Sequence, residues 1–243
     1  MISNGKFYES QFEEATIELL REAHWQYAFG DDIHRKYTDP LIEEDLRNFL
    51  AVQYKDKNLT TSEMDSIVAN LRNTGGQNDY YALRNTFLLY RDGYDFAYSD
   101  GRSNPFRLEY IDFEHPVHNI FRCVNQFVME QGRENRRPDI LLFINGIPVC
   151  IIELKNPTKQ NATIHDAHTQ ICTRYMRDIP ALLKYCALAV ISDGAKNALG
   201  ATYTPFEFFY EWKKIENEDK AGKGLDTLRT LIRGAISPER ILE

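Results

Sequence analysis

Three residues that can bind a metal ion and move protons lie close together in the sequence: Asp139, Glu153 and Lys155. Asp139 precedes an apolar run at residues 140–143, and Glu153 and Lys155 end a second apolar run. Carboxylate and carbonyl oxygens suit Mg²⁺, and a neighbouring lysine can orient or deprotonate a metal-bound water. The pattern predicts metal-assisted hydrolysis with Asp139, Glu153 and the Leu154 carbonyl as ligands. The alternative is a surface hairpin in which the acid and the lysine only pair with each other.

The two apolar runs must pair in one particular register for these side chains to meet. Asn145-Gly146 between the runs predicts a tight β-hairpin turn. With a plain two-residue turn, Asp139 would lie opposite Ile152 and point away from Glu153, because side chains alternate between the faces of a strand. A three-residue loop or one β-bulge would bring Asp139 and Glu153 to one face. We predict this odd register, since the metal site requires it.

The surrounding pattern predicts helices and further strands. Helix-start signals stand in the N-terminal third at residues 10–13 (a capping box), Asp39-Pro40, and residues 60–63, with the last helix ending at Gly75-Gly76. After the hairpin, a helix is expected from about Ala162 to Asp178 and a buried strand at 187–192. This order predicts an α/β fold with a central mixed β-sheet flanked by helices and extra N-terminal helical elements.

The composition is that of an ordinary globular protein, but its charge disfavours an autonomous DNA-binding protein. The chain has 243 residues and a net charge of −7, whereas DNA-binding domains normally carry a basic face. No apolar run approaches the ~20 residues that cross a bilayer, and a secretion signal is not recognisable, so we expect a cytoplasmic protein. The four cysteines are widely separated and are expected to be reduced core thiols.

The residues of the hairpin resemble the core of PD-(D/E)xK nucleases, with Pro138-Asp139 and Glu153-Leu154-Lys155 in RPDILLFINGIPVCIIELKNPT. The flanking segments HNIFRCVNQF (118–127), TQICTRYMRDIP (169–180) and TYTPFEFFYEWK (202–213) are similar to the restriction subunits of type I restriction–modification enzymes, over about residues 10–215. The resemblance implies a restriction-endonuclease-like fold and Mg²⁺-dependent cleavage of double-stranded DNA, as a type I site-specific deoxyribonuclease that defends against foreign DNA.

The same resemblance implies partners. In that family the nuclease domain precedes two helicase-like motor domains that use ATP to translocate DNA, and it works with methylation and specificity subunits. A GxxxxGK[ST] phosphate loop is not found in this sequence, so we predict that ATP acts only through motor domains outside it. We expect an endonuclease domain over 1–235, with a helical insertion at about 39–75 and the catalytic core at about 116–215. Ser237-Pro238-Glu239 resembles a helix start, so 236–243 are expected to begin a following element of a longer chain.

Further site residues are implied by the resemblance. The family carries Gln-x-x-x-Tyr on the helix after the Glu-x-Lys strand, whereas Gln170 and Tyr175 are five apart, roughly 140° on a straight helix. On a straight helix Gln170 aligns instead with Asp166 and Arg174, a polar stripe, and a π-bulge could restore the pairing. Gln170 is retained as a catalytic residue and Tyr175 as a weaker candidate. The acidic residue that the family places on its first helix would be Glu13 or Glu14.

Two other groups have competing interpretations. Arg133, Arg136 and Arg137 either grip DNA phosphates or are simply solvated. Asp112, Glu114, His115 and His118 resemble a metal cluster, but their spacing is irregular and a loop of ordinary polar residues is favoured. For the whole domain, the alternatives to a nuclease are a non-catalytic module that docks a motor and guides DNA, expected to lack one of the three core residues, and a free-standing nuclease.

Overall fold

Helices cover both faces of a mixed β-sheet in this protein. The computed structural model describes residues 4–155, 163–215 and 222–243. Six strands in these ranges form the central sheet, in the order β1-β4-β7-β8-β9-β10. The α/β class with a central mixed sheet flanked by helices is therefore confirmed. None of the helices in the described ranges combines the length and the apolar character needed to cross a membrane.

The strands are β1 (Gln26–Phe29), β2 (Tyr94–Phe96), β3 (Phe106–Leu108), β4 (Phe121–Asn125), β5 (Met129–Gln131), β6 (Glu134–Arg136), β7 (Ile140–Ile144), β8 (Ile147–Leu154), β9 (Leu188–Ser192) and β10 (Asn197–Ala201). Within the central sheet, β1 pairs with β4 and β8 with β9 in parallel, and the other neighbours are antiparallel. β1 and β4 were not predicted as sheet strands, whereas the predicted strand at 187–192 is confirmed as β9.

The helices are α1 (Asn4–Glu22), α2 (Glu43–Gln53), α3 (Thr61–Asn73), α4 (Asp79–Asp92), α5 (Ile164–Thr169), α6 (Met176–Asp178), α7 (Pro180–Leu183) and α8 (Leu225–Leu231). A π-helical segment (Gln170–Tyr175) joins α5 to α6, and another (Ile232–Ile236) follows α8. Side chains of α1–α4 and α8 contribute to the core on one sheet face, and those of α5, the π-helical segment 170–175 and α7 contribute to the core on the other. Three of the four cysteines are buried in these cores, and Cys172 is half-buried.

Two predicted helix starts are wrong. α1 begins at Asn4, so Ser10 and Glu13 lie inside the helix and are not its capping box. Serine and glutamate at this spacing mark a helix start only where the preceding residues are not helical. α2 begins at Glu43 rather than at Asp39-Pro40.

The segment before α2 is held outside the helix by its own contacts. The Asp39 carboxylate accepts a hydrogen bond from Leu41 N and forms an ion pair with Arg72 of α3. Ile42 N donates to the Gly146 carbonyl. By contrast, the predicted start of α3 is confirmed, because Thr60 and Glu63 form a reciprocal capping box.

The predicted hairpin is formed by β7 and β8, closed by a two-residue turn. Asn145 and Gly146 both have positive φ angles, 50° and 75°, as a type I′ turn requires. The pairs next to the turn are in plain register, but the following pair joins Leu142 to Cys150. Val149 is therefore the extra residue of a β-bulge.

The bulge decides where the acidic side chains point. Beyond it, Ile140 pairs with Ile152, so the next position places Asp139 opposite Glu153. The predicted odd register is confirmed, and a bulge rather than a three-residue loop produces it.

Asn145 also locks the turn to the neighbouring loop. Its side chain is fully buried. The amide nitrogen donates to the Tyr110 carbonyl at 2.9 Å and to Asn119 Oδ1 at 2.8 Å, and the amide oxygen accepts from Ile120 N at 2.7 Å. A residue is required here that tolerates positive φ and makes three buried hydrogen bonds.

Asn145→Gly is expected to lower the free energy of unfolding by about 2–4 kcal/mol, because buried polar partners lose their hydrogen bonds while the backbone conformation stays accessible. Asn58→Gly is the matched control, since Asn58 is exposed and also has a φ of 50°. Urea unfolding of both variants measures the difference. Equal stability of the two variants would contradict this account of the turn.

Candidate active site

Glu153 and Lys155 form a buried ion pair at the end of β8. The Lys155 Nζ donates to Glu153 Oε1 at 2.8 Å, and the two side chains are 16% and 1% exposed, respectively. Such burial is costly unless each charge has further partners. Gln170 and Tyr175, on the helical segment that follows in the chain, are these further partners.

A π-helical turn brings Gln170 and Tyr175 together, although they would diverge on a straight α-helix. Gln170 Nε2 donates to the Tyr175 hydroxyl at 2.7 Å, so the π-helical turn restores the pairing that a straight helix would prevent. Gln170 Oε1 accepts a hydrogen bond from Lys155 Nζ at 2.7 Å, and the Tyr175 hydroxyl donates to Glu153 Oε2 at 3.2 Å. The four side chains form a closed hydrogen-bonded ring, which fixes the position of the lysine amine.

Asp139 lies beside this ring, and the pKa of its carboxyl group is raised. Its Oδ2 accepts a hydrogen bond from Leu154 N at 2.7 Å. Loss of hydration and then the negative charges of Glu153 and, more weakly, Glu13 raise the pKa of Asp139 well above its usual range, while the Leu154 N–H and Lys155 act in the opposite direction. A nearby cation would stabilise the ionised carboxylate.

Glu13 belongs to α1, which packs on the sheet face opposite Tyr175, and its charge acts on Asp139. Its Oε1 accepts hydrogen bonds from Asn125 Nδ2 at 2.7 Å and from Gln126 Nε2 at 3.0 Å. Glu14 is exposed. Sequence reasoning missed Asn125 and Gln126 as site residues, although both lie in the segment 118–127 that it compared with the family.

The donor set fits a hard divalent cation. Asp139 and Glu153 lie opposite each other, the Leu154 carbonyl belongs to the same strand end, and Glu13 acts electrostatically on Asp139. Clustered carboxylates with one lysine nearby are the oxygen-rich environment in which Mg²⁺ binds. Asn156 and Pro157, which complete the motif, and Ala162, the expected helix start, lie outside the described residues.

Arginines line one side of the ring. A cavity of about 390 Å³ is bordered by Asn135, Arg136, Arg137, Gln170, Arg174, Tyr175 and Arg177. Arg136 forms ion pairs with Glu134 and Asp178, and Arg177 also pairs with Asp178. Arg137 and Arg174 are exposed and form no ion pair with a described residue. Arg133 is exposed too, but does not line this cavity.

A separate polar group lies before β4. One ligand atom from each of Asp112, His115 and His118 falls within 4.8 Å of the others. Both oxygens of Asp112 already accept hydrogen bonds: Oδ1 from the backbone N–H groups of Glu114 and His115, Oδ2 from Gln53, with His118 Nδ1 2.9 Å away. Two of these hydrogen bonds come from backbone N–H groups of the same loop, which is the arrangement that the polar-loop interpretation expects.

Comparison with known proteins identifies relatives that match most of the chain. A family model described as the type I restriction enzyme R protein N terminus matches residues 6–208. The chain is 31% identical, over 97% of its length, to the type I restriction enzyme HindI endonuclease subunit of Haemophilus influenzae, of which the match covers 23%. It is 30% identical, over 85% of its length, to the putative type I restriction enzyme MjaIXP endonuclease subunit of Methanocaldococcus jannaschii, of which the match covers 20%. The chain thus spans less than a quarter of these two relatives.

Asp139→Asn is expected to stabilise the metal-free protein at neutral and alkaline pH. Above the ordinary pKa of about 3.9, the unfolded chain loses the Asp139 proton before the folded chain does. This group therefore makes the folded state progressively less stable as the pH rises towards its raised pKa. In EDTA at pH 8 we expect a Tm increase of roughly 2–6 °C, which disappears near pH 4.

The same Tm measurements carry their own controls. Mg²⁺ should raise the Tm of the unaltered protein but not that of Asp139→Asn. Asp95→Asn changes an acid whose side chain is 76% exposed and should leave both values unchanged. A lower Tm of Asp139→Asn in EDTA at pH 8 would contradict the electrostatic account of Asp139.

Proposed function

Because this chain belongs to the family of type I restriction enzyme R protein N termini, we propose that it is a PD-(D/E)xK endonuclease domain that hydrolyses phosphodiester bonds of double-stranded DNA with the help of Mg²⁺. The proposal rests on one observation above all, the closed ring of Glu153, Lys155, Gln170 and Tyr175 beside Asp139. A ring that immobilises an amine next to clustered carboxylates suits attack by water on a phosphodiester.

In this proposal the carboxylates hold the ion. Asp139, Glu153 and the Leu154 carbonyl would be its ligands, with Glu13 as a further acid. Bound Mg²⁺ would polarise the phosphate and lower the pKa of a coordinated water. Because lost hydration and neighbouring charge raise the pKa of Asp139, protons compete with the ion for this carboxyl, so the apparent affinity for Mg²⁺ should increase with pH.

Lys155 would act on the water or on the phosphate. Its amine is held between Glu153 Oε1 and Gln170 Oε1, both within 2.8 Å. With respect to the described residues, this leaves one N–H direction of the ammonium for a water or a phosphate oxygen. The Tyr175 hydroxyl and the Gln170 amide would keep Glu153 and Lys155 in place rather than react themselves.

The exposed arginines would hold the DNA strand. Arg137 and Arg174 border the cavity beside the ring, and their guanidinium groups are not taken up by described carboxylates. Arg136 would instead hold Asp178. Planar guanidinium groups bind phosphate oxygens in pairs, which would fix the backbone next to the scissile bond.

We further propose that the longer protein couples this domain to other parts. The relatives named above are endonuclease subunits of type I restriction enzymes, and they extend far beyond the matched region. In such a protein, ATP-driven motor domains of the same chain would translocate DNA, and methylation and specificity subunits would recognise the sequence, so that foreign DNA is cut.

Lys155→Ala should reduce Mg²⁺-dependent plasmid nicking by the complete assembly at least about 100-fold, because the water and the developing phosphate charge lose their ammonium partner. Lys196→Ala, at an exposed loop lysine, is the control and should cut normally. If Lys155→Ala still nicks DNA at the unaltered rate, the nuclease proposal fails and a docking or DNA-guiding module becomes the better interpretation.

The double variant Arg137→Ala/Arg174→Ala should weaken duplex DNA binding regardless of sequence. If each arginine contacts one phosphate, the slope of log affinity against log salt should fall by about 2. Binding measured between about 50 and 200 mM salt gives this slope. Arg84→Ala removes an exposed arginine on α4 and should not change it; an equal change in both proteins would rule out a specific role for the cavity arginines.

A further inference from the structure

Glu13 is held by two amide side chains on a single oxygen. Asn125 Nδ2 and Gln126 Nε2 both donate to Oε1, at 2.7 and 3.0 Å. The amide of Asn125 is itself oriented by the Tyr27 hydroxyl, which donates to Asn125 Oδ1 at 2.9 Å. No described donor contacts Glu13 Oε2, so the carboxylate is anchored on one side.

The anchor lies next to the acids of the site. Asn125 is the last residue of β4 and pairs with Ile140, which directly follows Asp139. Glu13 comes from α1, whereas Tyr175 packs in the core on the other sheet face. Because Glu13 comes from a different layer of the fold, it needs hydrogen bonds of its own to hold its carboxylate near those of the hairpin.

Gln126, which donates a hydrogen bond to Glu13, has an irregular backbone conformation. Its φ of 55° is uncommon for a residue with a side chain. The neighbouring Gly30 leaves space for this turn, since a Cβ there would lie 2.5 Å from the Gln126 carbonyl oxygen. Residues in such conformations persist where the surroundings enforce them, often at functional sites.

We propose that Asn125 and Gln126 are positioning residues that hold Oε1 of Glu13 and thereby direct Oε2 towards the divalent cation bound with Asp139. Groups that orient a metal ligand through a hydrogen bond typically change metal affinity 10- to 100-fold when removed. Tyr27 supports the arrangement by fixing which way the Asn125 amide faces. This inference rests on the proposed function, because it requires the cation site.

Binding of Mn²⁺, used as the probe ion, tests the proposal by calorimetry on the full-length protein without nucleotide. All proteins carry His118→Ala, so that the group at Asp112 does not contribute. Asn125→Leu and Gln126→Gly should each weaken binding about 10-fold. When Asn125→Leu is added to Glu13→Gln, no further loss should follow, because both changes act through the same ligand.

The controls separate positioning from stability. Asn145→Gly removes a buried amide at the opposite end of the hairpin; it should lower stability and leave Mn²⁺ affinity unchanged. Gln126 is only half-buried and glycine adopts its φ easily, so Gln126→Gly decides alone if Asn125→Leu does not fold.

Two results would overturn the inference, and they are distinguishable. The first is that the folded variants bind Mn²⁺ as tightly as the unaltered protein, or that their losses of affinity add to the loss caused by Glu13→Gln. Asn125 and Gln126 would then have only a structural role, while the proposed function would stand. If the unaltered protein binds no Mn²⁺ at a site that Asp139→Asn removes, the proposed function fails and the inference with it.

Discussion

Two carboxyl groups of like charge, Asp139 and Glu153, share one end of a buried hairpin, and the rest of the site offsets their repulsion. Lys155 contributes a positive charge to Glu153, and the Leu154 N–H contributes a hydrogen bond to Asp139. These contacts are insufficient for Asp139, whose pKa remains raised by lost hydration and neighbouring charge. Two carboxyl groups that share a site disfavour each other's ionisation, and the proposed function accounts for this cost through a cation that both acids would bind.

Three backbone irregularities make the arrangement possible. The bulge at Val149 turns Glu153 to the face of Asp139, the π-helical turn brings Tyr175 to Gln170, and the positive φ of Gln126 aims its amide at Glu13. A regular hairpin, a straight helix and an ordinary strand end would each point one of these side chains elsewhere. The geometry of the candidate site therefore depends on these three local irregularities.

The sequence predicted more of the site than of the elements around it. Asn145-Gly146 has a strong local signal for its turn, and the need for Asp139 to meet Glu153 then selected the register. The π turn was foreseeable only from the odd spacing of Gln170 and Tyr175, because no local pattern marks a π-helix. Glu13 could not be distinguished from Glu14, since that choice depends on Asn125 and Gln126, which are more than 100 residues away along the chain. β1 is short, lies at the edge of the sheet and has mostly exposed residues. It therefore lacks the alternation of polar and apolar residues that would predict a strand.

The distribution of charge explains how an acidic chain can act on DNA if it is the proposed nuclease. Asp178 engages Arg177 and Arg136, whose hydrogen bonds and charges lower the pKa of its carboxyl. Those cations therefore hold Asp178, and under the proposed function Arg137 and Arg174 would be the ones that face a phosphate backbone. Two phosphate contacts give little sequence-independent affinity against a net charge of −7. Under the proposed function, cutting then depends on other parts of the longer protein bringing the DNA to the ring, which would keep the hydrolytic site from acting on every duplex that it meets.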